Sequence, residues 1–177
     1  MSNISSFDYG YGVYVSNVEY FDMLKYLHSH QETMDAVCGK SIHGVAVLHE
    51  KYKNAPHKFR EYISEAHADM HMLFNEIKGS EYESAYNYDY DDAFNILMEI
   101  VTSVISAETG MGLYYSRGQS DIGSRPAIIL KCLLPWQFTE VEKHLTREDF
   151  DRLFGKHIGE LGLPEEDIEE IGIEYCR

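Results

Sequence analysis

The chain is short of positive charge, and that shortage excludes most. Against 30 aspartates and glutamates it carries 15 lysines and arginines, a formal charge of -15. Its field at cellular salt repels nucleic acid and attracts basic protein surfaces, so direct binding of free DNA or RNA is not expected. Cysteine is scarce too. Cys38, Cys132 and Cys176 are an odd, widely spaced set that fits a reducing cytosol and no disulfide framework. No apolar run approaches the roughly 20 residues of a membrane helix. The opening Met1 Ser2 Asn3 Ile4 Ser5 Ser6 Phe7 Asp8 has neither the basic nor the apolar part of a secretion signal. A soluble, cytoplasmic protein is the expectation. Internal repeats, low-complexity linkers and composition breaks are missing as well, so the 177 residues read as a single domain with one core.

What is present is organised around the stretch from Gly110 to Trp136. Met111 Gly112 Leu113 Tyr114 Tyr115 and Ile128 Ile129 Leu130 Lys131 Cys132 Leu133 Leu134 are strand-like runs, joined by a polar segment with glycines at 118 and 123. They predict a β-hairpin with a long loop, its second strand apolar on both faces and therefore central. Tyr9 to Val15 alternates as a half-buried strand, with Gly10 and Gly12 suggesting a bulge or a close backbone approach. Ile171, Ile173 and Tyr175 alternate as a terminal strand.

Helical spacing recurs between them. Asn17 is placed to cap a short helix through Tyr20, Phe21, Leu24 and Leu27. The pattern fades from Ser29 to Gly44, which reads as loop, and Val45, Val47 and Leu48 read as a helical turn. Pro56 opens a long helix with Phe59, Tyr62, Ile63, Ala66, Met70, Leu73 and Ile77 on one face, stopped by Gly79. Phe94, Leu97, Met98, Val101, Val104 and Ile105 make a second, ending at Gly110. Thr146 with Asp149 forms a capping box for a third, through Phe150, Leu153, Phe154, Ile158 and Leu161, ended by Gly162 and Pro164. The expected class is α+β, a mainly antiparallel sheet of about four strands packed against two or three amphipathic helices.

Catalytic motifs are wanting. Cys38 Gly39 Lys40 Ser41 ends like a phosphate-binding loop, but Met34 stands where that loop needs its first glycine, and an ordinary turn is the better reading. His67 and His71, four apart on one helix, can share a metal ion, yet Ala68 replaces a metalloprotease's glutamate, so they read as boundary histidines. No residue sits in a nucleophile setting such as G-x-S-x-G. No catalytic residue, metal ligand or cofactor is therefore assigned.

The strongest functional signal is Glu81 Tyr82 Glu83 Ser84 Ala85 Tyr86 Asn87 Tyr88 Asp89 Tyr90 Asp91 Asp92, five carboxylates interleaved with four tyrosines. Carboxylates accept hydrogen bonds from arginine forks, and tyrosine is a rigid amphipathic anchor of interfaces. Together they imitate nucleic acid. The candidate binding residues are Glu81, Glu83, Asp89, Asp91 and Asp92 as charges, with Tyr86, Tyr88 and Tyr90 as anchors. A plainer alternative is a solvated connection that charges the next helix's N-terminus. A second run, Glu165 Glu166 Asp167 Ile168 Glu169 Glu170, reads as a solvated helix start. Arg117 and Arg125 bracket the hairpin loop, placed to hold a phosphate or to pair with nearby acids.

Tyr9 Gly10 Tyr11 Gly12 Val13 Tyr14 Val15, the strand ending Leu134 Pro135 Trp136, and Thr139 Glu140 Val141 Glu142 through Leu161 Gly162 Leu163 together resemble small acidic proteins of phages and mobile elements in Firmicutes. Among these the chain is most similar to type II-A anti-CRISPR proteins, inhibitors of the RNA-guided DNA nuclease. The resemblance implies a partner, that nuclease or its guide-loaded ribonucleoprotein in a bacterial cytoplasm, and an action, blocking guide loading or DNA binding. Since such inhibitors share no active site, it carries over no residue. Some act on guide RNA instead, so RNA processing stays as the alternative, beside a regulatory protein with no nucleic-acid link.

Overall fold

The computed structural model describes residues 5–59, 64–77, 93–117, 125–131 and 147–176. The chain divides into two compact units, Val18–Glu108 and the combined segments Met1–Asn17 and Thr109–Arg177. The class is α+β, as expected. Helices dominate it, with six α-helices among the described residues in place of the two or three expected.

In the two-segment unit, β1 (Ser5–Tyr14), β2 (Leu113–Ser116), β3 (Ala127–Lys131) and β4 (Glu169–Cys176) lie in the order β2-β3-β1-β4, every pair antiparallel. The hairpin forms, and β3 is internal. β1 runs between β3 and β4 with its pairing unbroken at Gly10 and Gly12, so neither glycine marks a bulge. Val13 and Val15 are buried, as their shared side of the alternation requires. Cys132 to Trp136, expected to finish the central strand, lies outside the described residues.

The same unit contains α6 (Arg147–Glu160), whose buried Phe150, Phe154 and Ile158 recur at helical spacing. The Phe150 and Phe154 rings pack at 4.6 Å. Gly162 then takes φ +77, a left-handed conformation open to a residue without Cβ, and Leu163 N–H donates to the Ile158 carbonyl at 3.2 Å. That closure stops the helix where the sequence predicted. Thr146, the expected cap, lies outside the described residues.

The other unit is helical: α1 (Tyr20–Ser29), α2 (Gln31–Cys38), α3 (Gly44–Tyr52), α4 (Ser64–Ile77) and α5 (Ala93–Thr109). Three details differ from expectation. Glu19, not Asn17, occupies the N-cap of α1, and no side chain caps it there. The stretch read as loop from Ser29 contains α2. Pro56 opens only a 3-10 turn, Pro56–Lys58, after which Phe59 leaves helical geometry at φ -86, ψ 79. Proline's fixed φ suits the first residue of either helix type, so the residue alone does not choose between them. Ala66, Met70, Leu73 and Ile77 are buried on α4 as predicted, and α5 buries residues around most of its circumference, the mark of a core helix.

Carboxylates from α4 grip both ends of α3. Glu76 Oε1 accepts from His43 N–H at 2.5 Å, and Oε2 from Gly44 N–H at 2.6 Å. Asp69 accepts from the Tyr52 hydroxyl at 2.6 Å and from Lys51 Nζ at 2.8 Å. Residues seven apart on a helix are two turns apart on one face, so Glu76 and Asp69 fix α3 antiparallel along α4.

Candidate functional site

The binding residues predicted from sequence, Glu81, Glu83, Tyr86, Tyr88, Asp89, Tyr90, Asp91 and Asp92, all lie outside the described residues. The second acidic run is described, and it is not a helix start of the α type. Glu165–Asp167 form one 3-10 turn that leads into β4. Two backbone hydrogen bonds hold it, Asp167 N–H to the Pro164 carbonyl and Ile168 N–H to the Glu165 carbonyl, each 3.1 Å. Leu163 before it and Ile168 after it are buried. Between those anchors Glu165, Glu166, Asp167 and, one residue beyond, Glu169 are exposed. Apolar residues at the ends of a short acidic segment thus turn a charge run into a fixed charged surface.

Glu166, Asp167 and Glu169 line one side of a cleft of about 330 Å³, with Leu163, Ser16, Asn17, Tyr14 and Arg125 forming the rest. Tyr14 alternates away from Val13 and Val15, packs on buried Ala127 and Ile171, and leaves part of its ring open. The Arg125 guanidinium lies over that ring, 4.0 Å from its centroid. Among the described residues Arg125 makes this aromatic contact and no ion pair; Asp121, the acid nearest to it in sequence, lies outside them. Strand alternation is the signal in the sequence that marks Tyr14 as open. Nothing local to residue 125 reveals its partner.

His67 and His71 sit on α4, the first half-buried and the second exposed, with an Asn75 Nδ2 to His71 Nδ1 contact of 2.9 Å. Among the described residues they belong to no cluster of three metal-ligating side chains. Gly39, in the segment that ends like a phosphate loop, is the left-handed end of α2 at φ +71. Lys40 N–H donates back to the Asp35 carbonyl at 3.2 Å, so these amides close a helix and do not form a phosphate cradle.

No described helix is long and apolar enough to cross a membrane. No protein-family model matches the chain, and neither a curated protein nor a solved structure matches it.

Proposed function

We propose that this protein is an inhibitor that lays carboxylates into the arginine- and lysine-rich nucleic-acid groove of a type II RNA-guided DNA nuclease, or of its guide-loaded complex, and blocks guide loading or DNA binding. The observation that carries this reading is the acidic turn at 165–169, four exposed acids held by backbone hydrogen bonds and buried flanking residues in a chain of charge -15. Fixed charges lose little freedom on binding, and an acidic face accelerates encounter with a basic one. The tyrosines at 86, 88 and 90 would add desolvated contacts beside the acids at 81, 83, 89, 91 and 92. The sequence resemblance supplies the particular partner.

The test uses two variants, E165Q/E166Q/D167N/E169Q and E81Q/E83Q/D89N/D91N/D92N, in a DNA-cleavage assay with the nuclease and guide RNA across a salt series. Backbone hydrogen bonds hold the 165–169 turn, so its amide variant keeps the fold. Exposed ion pairs are worth about 0.2–1 kcal/mol each, which makes the expected loss of inhibition roughly fourfold to a thousandfold for the four-acid variant and somewhat more for the five-acid one, with a shallower salt dependence. Undiminished inhibition by both variants, or none by the parent protein, overturns the reading. Shortened guide RNA after incubation with the protein alone would replace it with RNA processing.

A further inference from the structure

The helical unit has a cleft of its own, about 390 Å³, between the first turn of α1 and the 3-10 turn Pro56–Lys58. That is near the lower end of the roughly 300–1,000 Å³ of ligand pockets, room for one side chain of a partner. Phe21, Pro56 and Phe59 make its apolar lining, and Glu19, Asp22, Lys25 and His57 its polar groups. The lining is braced. Phe59 is buried against the Tyr52 ring, centroids 5.0 Å apart. Phe21 stacks on His49 at 5.6 Å and 13°, and His49 stacks on His28 at 4.4 Å and 23°. The Phe21 wall therefore ends a three-ring ladder joining α1 to α3.

Asp22 is the unusual member. Burial pushes its carboxyl above the usual carboxylate range, and neighbouring Glu19 adds to this, while Lys25 and the Glu19 backbone pull the other way. Among the described residues neither Asp22 nor Glu19 has an ion-pair partner. A partly desolvated carboxylate beside flat apolar rings is matched by a cation that brings its own apolar stem. An anionic group would be repelled, and a neutral donor would return a hydrogen bond but leave the carboxylate charge uncompensated. Between the two biological cations of that shape, guanidinium fits better. It is weakly hydrated, stacks on aromatic faces, and offers a planar fork to two carboxylates three residues apart, Glu19 at the N-cap and Asp22 in the first turn of α1.

We infer that this cleft receives an arginine side chain from the protein's partner, its guanidinium between Glu19 and Asp22 and its methylenes against Phe21 and Phe59. The inference rests on the reading above for the partner's being a basic protein, and adds a second contact on a different unit. Lys25 and His57 at the rim keep a lone arginine weakly held, so the site works as one contact among several.

The full-length protein is titrated with the blocked tripeptide acetyl-Gly-Arg-Gly-amide and its lysine and citrulline counterparts, followed by amide shifts of Phe21, Asp22, Lys25 and Phe59. Expected is saturable binding in the order arginine over lysine, with citrulline not binding, weakened about tenfold by D22N and by acidification through the raised Asp22 pKa. D22N removes a partly desolvated charge and so keeps the fold, which its amide spectrum verifies. D22E restores binding in part. No shifts at millimolar peptide, equal binding of citrulline, or an unaffected D22N overturns the inference. Peptide binding without nuclease inhibition sinks only the proposed function, and inhibition without peptide binding sinks only this site.

Discussion

Removing the Glu76 carboxylate should loosen α3 by an amount the structure lets one estimate. α3 has no side-chain cap of its own and no acid in its first turn. The positive end of its dipole and two of its orphan donors are satisfied from α4 instead, by the Glu76 contacts to His43 and Gly44. A lost cap costs about 0.5–2 kcal/mol, and a hydrogen bond to a charged group is worth about 1.5–3. His43 is exposed, so water replaces part of its bond, and about 2 kcal/mol is expected for Glu76→Ala. For a protein of this size that lowers the melting temperature by roughly 4–8 °C. Glu76→Gln keeps one accepting oxygen and should lose about half as much.

Gly44→Ala supplies the cross-check on that estimate. A Cβ there would stand 2.7 Å from Glu76 Oε2 and 3.0 Å from Leu73 Cδ1, so it displaces the carboxylate it should lie beneath. In the absence of Glu76 only the Leu73 crowding remains. The two substitutions must then be strongly non-additive, which urea melts of the singles and the double measure as a coupling energy. Simple additivity, or a cost below about 0.5 kcal/mol for Glu76→Ala, would refute the capping argument.

Two further outcomes follow from the helical unit. Burial, and then the charge of His28, holds His49 below the ordinary histidine pKa of 6.5. A depressed folded-state pKa means that this stabilisation is present above the unfolded value and lost as pH falls through the folded one. The urea midpoint should therefore drop on acidification from pH 7 to pH 5, and less in His28→Gln; a flat profile would show that the stacked rings carry no such strain. The second outcome concerns Tyr52→Phe, which keeps the packing on Phe59 but removes the 2.6 Å bond to Asp69. It should cost about 1.5–3 kcal/mol, and a double-mutant cycle with Asp69→Asn should show coupling above about 0.5 kcal/mol. Zero coupling would mean that Asp69 does not hold α3.

How far the sequence reached depends on how local each cause is. α5 and α6 were legible because their apolar residues repeat every three or four positions and glycines follow them. α2 was not, because it buries only Met34 and Cys38, too few to show a period. The hairpin was legible from two apolar runs. The placing of β1 between β3 and β4 was not, since it joins segments from both ends of the chain. The acidic turn could be read as composition, whereas its conformation depends on buried Leu163 and Ile168. Arg125 on Tyr14 and the Phe21, His49 and His28 ladder join residues distant in sequence, so no spacing rule finds them.

The same distinction separates the acids that build the molecule from those that face outward. Asp35 accepts from the Gln31 amide and from Ile42 N–H, and Glu108 accepts from Thr33 and meets His30. Asp69 and Glu76 hold α3. These four are bound to internal donors, so neutralising them would loosen the helical unit before it altered any encounter with a partner. Among the described residues Glu165, Glu166, Asp167 and Glu169 have no such donor, and at the aromatic cleft Glu19 has none and Asp22 meets only the Glu19 backbone. Basic side chains near them are Arg125, which shares a cleft with Glu166, Asp167 and Glu169, and Lys25 beside Asp22, and neither makes an ion pair with them among the described residues. A net charge of -15 therefore overstates the charge free to act outward, because part of it is tied into the packing of the helices, and substitution of the outward acids should leave both units folded.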